Sequence, residues 1–333
     1  MKVAVIGAGS WGTALAQVAA RNGHDVLLWA RREEVASGIN EQHRNPSYLS
    51  EAELSDRIVA TTSMRSALES AEAVVVVTPS KHLRETAQRM ADADVRADVP
   101  IVICSKGVEE STGFVPVQLF ESIVGGSARL AALSGPNHAE EIVFGKLAGT
   151  VVASESQQTA VFFQELIGSE TFRVYTSGDV LGVELCAAFK NVIAIAVGIS
   201  YGMGFGDNTA AMLMTRGQAE MSRLIEAAGG EALTCMGLAG TGDLIATCMS
   251  QHSRNRTFGE ALAAGESLAA YEARRGMVVE GAQACKTIAT LSKRHNVELP
   301  ITDAVRAIVW EGAELKDAVI ALTTRPQKPE FYS

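Results

Sequence analysis

The hydrophobic pattern changes character near the middle of the chain. Up to Thr176, short apolar runs alternate with helical stretches. Residues 3–6, 25–29, 73–78, 100–104 and 129–133 are mostly apolar runs of strand length. Such runs suit strands buried on both faces, as in a parallel sheet covered by helices. Residues 149–153 and 172–175 read as closing strands. Residues 13–22 carry a helical pattern, with Gly23 just past its end where a helix cap is expected. Beyond Thr176 the β-branched runs stop, and helical patterns fill almost everything to Thr323. The order predicts an α/β protein: a mostly parallel sheet domain over residues 1–177, then a mostly α-helical domain over residues 178–333. The tail from Arg325 reads as irregular.

The longest apolar run lies in the second part. Residues 186–197 are rich in Ala and free of Pro and Gly, and Lys190-Asn191 sits among them. The run predicts an interior helix. A buried ammonium is costly unless it meets water, a counter-charge or a ligand. Burial also disfavours its charged form, which suits such a lysine to exchanging a proton as general acid or base. The other reading is structural: the stem packs on the core and the head reaches solvent.

The first strand runs straight into Gly7-Ala-Gly9-Ser-Trp-Gly12, followed by a helix and a second strand. Strand, G-x-G-x-x-G, helix, strand is the context of a dinucleotide fingerprint, and it makes the sheet domain Rossmann-type. Gly7 allows the tight turn, Gly9 lets the backbone approach a pyrophosphate, and Gly12 lets the helix pack close to the strand. The helix N-terminus offers N–H groups and a positive dipole end to the anion. Ser10 and Trp11 lie in the loop and are expected to touch the cofactor; Trp11 reads equally as a plug beneath it. At the end of the second strand, where an NAD site usually carries an acid for the ribose 2′-hydroxyl, stand Ala30-Arg31-Arg32. Two guanidiniums suit a 2′-phosphate, so NADP(H) is expected to be preferred and NAD(H) tolerated. Glu33 and Glu34 follow and offer the arginines a partner instead, and two solvated arginines beginning a helix are the plain alternative.

Further polar clusters punctuate the chain. Ser105-Lys106-Gly107 and Ser134-Gly135-Pro-Asn137-His-Ala139-Glu140 follow predicted strands, at the ends where parallel sheets bind ligands. Gly240-Thr-Gly-Asp243 is a glycine-rich turn with Asp243 at a helix start, where an ordinary N-cap also belongs. Ser253-Arg254-Asn255-Arg256 places donors before a helix, as a phosphate cradle or as a solvated turn. Met277-Val278-Val-Glu280-Gly281 opens a helix with an acid where the dipole favours it.

Composition narrows the classes. A chain of 333 residues with 47% hydrophobic and 20% charged residues is an ordered protein, long enough for two domains. A net charge of -9 argues against nucleic acid as the main partner, although a local cluster of Lys and Arg still accommodates an anionic small molecule. Five scattered cysteines without C-x-x-C fit reduced thiols in a cytoplasm, not a disulfide framework or a zinc site. The first strand begins at Lys2, so no signal segment is expected, and the longest apolar run falls short of a membrane span.

The motifs Gly7-x-Gly9-Ser-Trp-Gly12, Ser105-Lys-Gly107, Ser134-Gly-Pro-Asn-His-Ala-Glu140, Phe189-Lys-Asn-Val-Ile-Ala194, Gly240-Thr-Gly-Asp243, Ser253-Arg-Asn255 and Val279-Glu-Gly281 stand in this order. In them the chain resembles the bacterial NAD(P)-dependent glycerol-3-phosphate dehydrogenases over nearly its whole length. The resemblance implies interconversion of sn-glycerol 3-phosphate and dihydroxyacetone phosphate by hydride transfer, a supply of glycerol 3-phosphate for phospholipid synthesis, and a cytoplasmic homodimer. It implies Lys190 as the proton acceptor. It implies substrate contacts from Lys106, Gly135, Asn137, Lys190, Asp243, Ser253, Arg254 and Asn255, with Arg254 and Asn255 on the phosphate. Cofactor contacts are implied for Gly7, Gly9, Ser10, Trp11, Gly12, Arg31, Arg32, Lys106, Ala139, Arg254, Val278 and Glu280, with Tyr48 nearby and no metal. Two other readings compete: a reductase of the same architecture acting on a 3-hydroxy acid or ketopantoate, and a dinucleotide sensor without turnover.

Overall fold

The computed structural model describes residues 1–276, 278–327 and 329–330. Met277, which opens the 277–281 motif, and residues 328 and 331–333 of the tail lie outside the described residues. The strands are β1 (Lys2–Ile6), β2 (Asp25–Trp29), β3 (Ile58–Thr61), β4 (Ala73–Val76), β5 (Ile101–Ile103), β6 (Leu130–Ser134), β7 (Ala148–Ala153) and β8 (Phe172–Ser177). They form one sheet in the order β3-β2-β1-β4-β5-β6-β7-β8. From β3 to β6 every pairing is parallel; β7 runs antiparallel to β6, and β8 pairs parallel with β7. The first six strands thus follow the doubly-wound order, whose direction of winding reverses between β1 and β4. Ile6 is in register with both Trp29 and Val76, so the turns after β1, β2 and β4 emerge side by side at the carboxyl edge.

Two features of the sheet depart from the sequence expectation. Strand β3 was not expected. It lies at the sheet edge with Ile58 and Ala60 buried and Val59 50% exposed, and its apolar run, Ile58-Val59-Ala60, is only three residues long. The reversal at β7 is also absent from the pattern, because a buried strand shows the same apolar residues whichever way it runs.

By its contacts the chain divides into two compact units, Met1–Ala187 with Gly229–Asp243, and Ala188–Ala228 with the residues from Leu244 on. The division by contacts falls inside the helix Val180–Gly202. Side-chain bonds explain this. Asp179 caps the helix start, accepting the Gly182 N–H at 2.8 Å. Its other oxygen accepts the Glu231 N–H at 2.9 Å and the Thr234 hydroxyl at 2.6 Å, tying residues 229–243 to the first unit.

Buried glutamates cap helices in both units. Pro116–Val124 and Pro300–Glu311 each start with Pro after a residue, Val115 or Leu299, whose side chain has no acceptor. Glu184 accepts the Val117 N–H at 3.0 Å, and Glu220 accepts the Ile301 N–H at 2.7 Å. Burial outweighs these bonds and raises Glu184 from its ordinary 4.5 to about 8, and Glu220 to about 7. The folded chain therefore keeps a proton that the unfolded chain has lost above 4.5. Stability should fall as pH rises from about 4.5 to about 8. Thermal melts across that range test this: Glu184→Gln, which removes the ionisation, is expected to flatten the decline in Tm by about 3 °C or more. An unchanged slope would contradict it.

The second unit is helical. A Cβ on Gly198 would lie 2.0 Å from the Arg256 carbonyl oxygen and 3.0 Å from the Gly259 Cα, so two helices cross at backbone contact there. The helix can therefore continue through Gly198 to Gly202. Among the described residues, this Val180–Gly202 helix alone is long and apolar enough to cross a membrane, contrary to the expectation that no stretch would be. Its apolar window has a mean hydropathy of 1.9, but 83% of it is buried within the fold. Glu184, Lys190 and Asn191 are buried along the same helix, as suits a core element.

Candidate active site

At the carboxyl edge of the sheet the glycine turn takes the shape its residues predict. Gly7 has φ +122°, and a Cβ there would lie 2.7 Å from the Val77 carbonyl oxygen. A Cβ on Gly12 would lie 1.8 Å from the Gly7 oxygen, while one on Gly9 would meet nothing within 4 Å. Gly9 precedes the helix Ser10–Arg21, and no side chain caps it. Uncapped N–H groups beside open space fit a pyrophosphate. The Trp11 ring packs edge-on against Phe172, with centroids 6.4 Å apart. Ala139 is buried at the start of the short helix Ala139–Ile142.

The arginines after β2 differ from one another. Arg32 bonds Glu34 at 2.7 Å and the Ser47 hydroxyl at 2.7 Å. The Arg31 side chain is exposed and makes no hydrogen bond or ion pair among the described residues. Glu33 accepts the Thr62 hydroxyl instead of pairing with either arginine. Tyr48 is 40% exposed beside this segment, in the loop that holds Ser47.

Lys106 and Asp243, 137 residues apart in sequence, form an ion pair of 2.6 Å. Their side chains are 18% and 3% exposed. Gly135 is close by, its carbonyl oxygen 3.5 Å from the Lys106 Nζ. Asp243 is presented by a π-helical turn, Leu238–Gly242, whose Gly240 has no room for a Cβ: one would lie 2.2 Å from the Cys235 oxygen. The loop after Lys106 is clamped by Arg84, which donates to both oxygens of Glu109 at 2.7 Å and holds that carboxyl down to about 2. Asn137 is turned to β7: it donates to the Gly149 oxygen at 3.0 Å and accepts the Thr150 hydroxyl at 2.8 Å.

In the second unit Lys190 is 6% exposed, and its Nζ donates to the Thr247 hydroxyl at 2.8 Å. The ammonium is not at the surface. Its neighbour Asn191 accepts the Asn255 amide at 2.9 Å, and Asn255 in turn accepts the Gly281 N–H at 2.9 Å. Ser253 caps the helix Arg254–Ala263 by accepting the Arg256 N–H. Arg254 is exposed at its first position, and Glu280 opens the helix Glu280–His295 after the 39% exposed Val278. Arg256, the fourth residue of that donor cluster, is instead a strut. It donates to the Met249 oxygen at 2.5 Å and to Glu260 at 3.1 Å, and its guanidinium lies 4.7 Å from the Tyr201 ring centroid.

The Arg84–Glu109 clamp is not legible in the sequence, because the two residues are 25 apart and look like surface charges. Asn45 carries a fainter signal, its place before Pro46, which marks a turn.

A doubly-wound sheet whose carboxyl edge offers uncapped N–H groups, with a buried charged pair in the same unit, fits a dinucleotide-dependent dehydrogenase. The family model for the N-terminus of NAD-dependent glycerol-3-phosphate dehydrogenase matches residues 2–160, and the model for its C-terminus matches residues 179–320. The chain belongs to this family. A protein of Corynebacterium urealyticum named glycerol-3-phosphate dehydrogenase (NAD(P)+) is 45% identical over 332 residues, 99% of this chain and 100% of its own. One of the same name from Bacillus pumilus is also 45% identical, over 99% of this chain and 96% of its own. The crystal structure of glycerol-3-phosphate dehydrogenase from Coxiella burnetii is 34% identical, with a TM-score of 0.92 over 97% of this chain and 99% of that one.

Proposed function

We propose that this chain interconverts sn-glycerol 3-phosphate and dihydroxyacetone phosphate with Lys190 as the proton carrier. It is an NAD(P)-dependent glycerol-3-phosphate dehydrogenase by family. The observation that carries the residue assignment is the burial of Lys190 on an apolar helix with a hydroxyl at its Nζ. In the oxidative direction Lys190 takes the proton of the substrate hydroxyl; in the reductive direction it returns the proton to the forming alkoxide. The nicotinamide, when bound, accepts or supplies the hydride. Lys106, held by Asp243, contacts the substrate, and Arg254 at its helix start receives the phosphate. Asn255 spends two of its amide bonds within the protein, which leaves one N–H for the phosphate oxygens. The chain works in the cytoplasm as a homodimer and supplies glycerol 3-phosphate for phospholipid synthesis.

Substrate choice tests this reading. Glycerol 3-phosphate should be oxidised and 3-hydroxyisobutyrate ignored; the reverse would move the chain to the hydroxy-acid reductases, and no turnover with either would favour a sensor. Cofactor choice tests Arg31. Its guanidinium, unpaired among the described residues, suits a 2′-phosphate, so Arg31→Ala should weaken NADPH binding about tenfold and leave NADH nearly unchanged. Equal losses would remove Arg31 from that role.

A further inference from the structure

The buried amide of Asn45 joins the glycine turn to the loop beside Arg32. Asn45 is 0% exposed, and its side chain makes four hydrogen bonds. Its Nδ2 donates to the Ala8 carbonyl oxygen at 3.0 Å and to the Thr13 hydroxyl at 2.8 Å. Its Oδ1 accepts the N–H groups of Ser47 and Tyr48, each at 3.1 Å. An asparagine offers two donors and one oxygen with two lone pairs, so every position is used.

The bond to Ala8 has a directional consequence. The Ala8–Gly9 peptide is planar and trans, so its N–H points away from its C=O. Holding the Ala8 oxygen inward turns the Gly9 N–H outward, toward the open space beside the uncapped helix start. The other half of the amide closes the turn that places Ser47, and Ser47 accepts the Arg32 guanidinium at 2.7 Å. One side chain therefore ties the pyrophosphate end of the fingerprint to the arginine at its adenosine end.

We propose that Asn45 is a positioning residue for the dinucleotide, aiming the Gly9 N–H and holding the Ser47–Arg32 segment in register with it. The inference rests on the dinucleotide reading of the glycine turn. Asn45→Asp separates the two halves of the amide: a carboxylate still accepts from Ser47 and Tyr48, but it faces the Ala8 oxygen with no donor.

The test is the dissociation constant of NADPH and of NADH, followed by quenching of tryptophan fluorescence, beside thermal melts and steady-state kinetics. Asn45→Asp is expected to raise both dissociation constants about tenfold, since both cofactors share the pyrophosphate. The KM for the cofactor should rise with them, while the KM for dihydroxyacetone phosphate and kcat at saturating cofactor hold. A lowered Tm with unchanged cofactor affinity would make Asn45 a fold residue only and overturn the proposal. If Asn45→Asp does not fold, the measurement passes to Thr13→Val, which removes one acceptor of the same amide. A rise of about threefold or more supports the proposal there, and an unchanged constant overturns it. Failure of the wild-type chain to bind NADPH would overturn the reading of the glycine turn and the proposal together; normal binding by wild type and variants alike would overturn the proposal alone.

Discussion

Lys190→Ala is expected to leave the fold intact and to cut turnover by about 10²–10⁴-fold, the usual worth of a positioned general acid or base. The fold should survive because the substitution removes a buried amine from an apolar helix and replaces it with the best helix former. The Thr247 hydroxyl loses its donor at 2.8 Å but keeps its own proton to give. The loss should appear in kcat with dihydroxyacetone phosphate and NADPH, while the NADPH dissociation constant holds. A small primary amine added to the variant should restore part of the rate, which no structural role for Lys190 would allow. A kcat within a few-fold of wild type would remove Lys190 as the proton carrier.

Asp243→Asn is expected to lower both activity and stability. The substitution keeps the shape but leaves the Lys106 ammonium, 18% exposed, without its charge partner at 2.6 Å. Breaking a buried pair from one side costs about 3–5 kcal/mol, and the partial exposure of Lys106 puts this case near the low end. A drop of about 10²-fold in kcat/KM should accompany it, because Lys106 no longer holds one position. Adding Lys106→Met removes the stranded charge. The double variant should recover much of the Tm and none of the activity, measured by thermal melts and steady-state kinetics on the same preparations. A double variant as unstable as Asp243→Asn would show that the ion pair is not what stabilises this edge.

What was legible in the sequence was local. The glycine turn with its flanking strands occupies a single stretch, and each glycine has one steric reason that reads the same in sequence and structure. Lys190 stood out because a charge inside an apolar helix has few explanations. What was not legible depends on partners far away in the chain. Nothing near Asp243 announces Lys106, 137 residues earlier. Nothing near Asn255 says that its amide joins Asn191 to Gly281, 64 and 26 residues off. Arg254 and Arg256 look alike in sequence, yet one is exposed at a helix start while the other is buried against Tyr201. The edge strand β3 is hard to read for a related reason: its apolar run is three residues long, and its pairing with β2 is a property of the sheet.

As a glycerol-3-phosphate dehydrogenase, this chain reduces dihydroxyacetone phosphate with a nicotinamide cofactor. The most direct measurement follows NADPH and NADH oxidation by the wild-type protein with dihydroxyacetone phosphate, and identifies the product. Turnover is expected with both cofactors, NADPH preferred, and sn-glycerol 3-phosphate should form in equal amount to the cofactor oxidised. No oxidation with dihydroxyacetone phosphate, under conditions where ketopantoate is reduced, would contradict it.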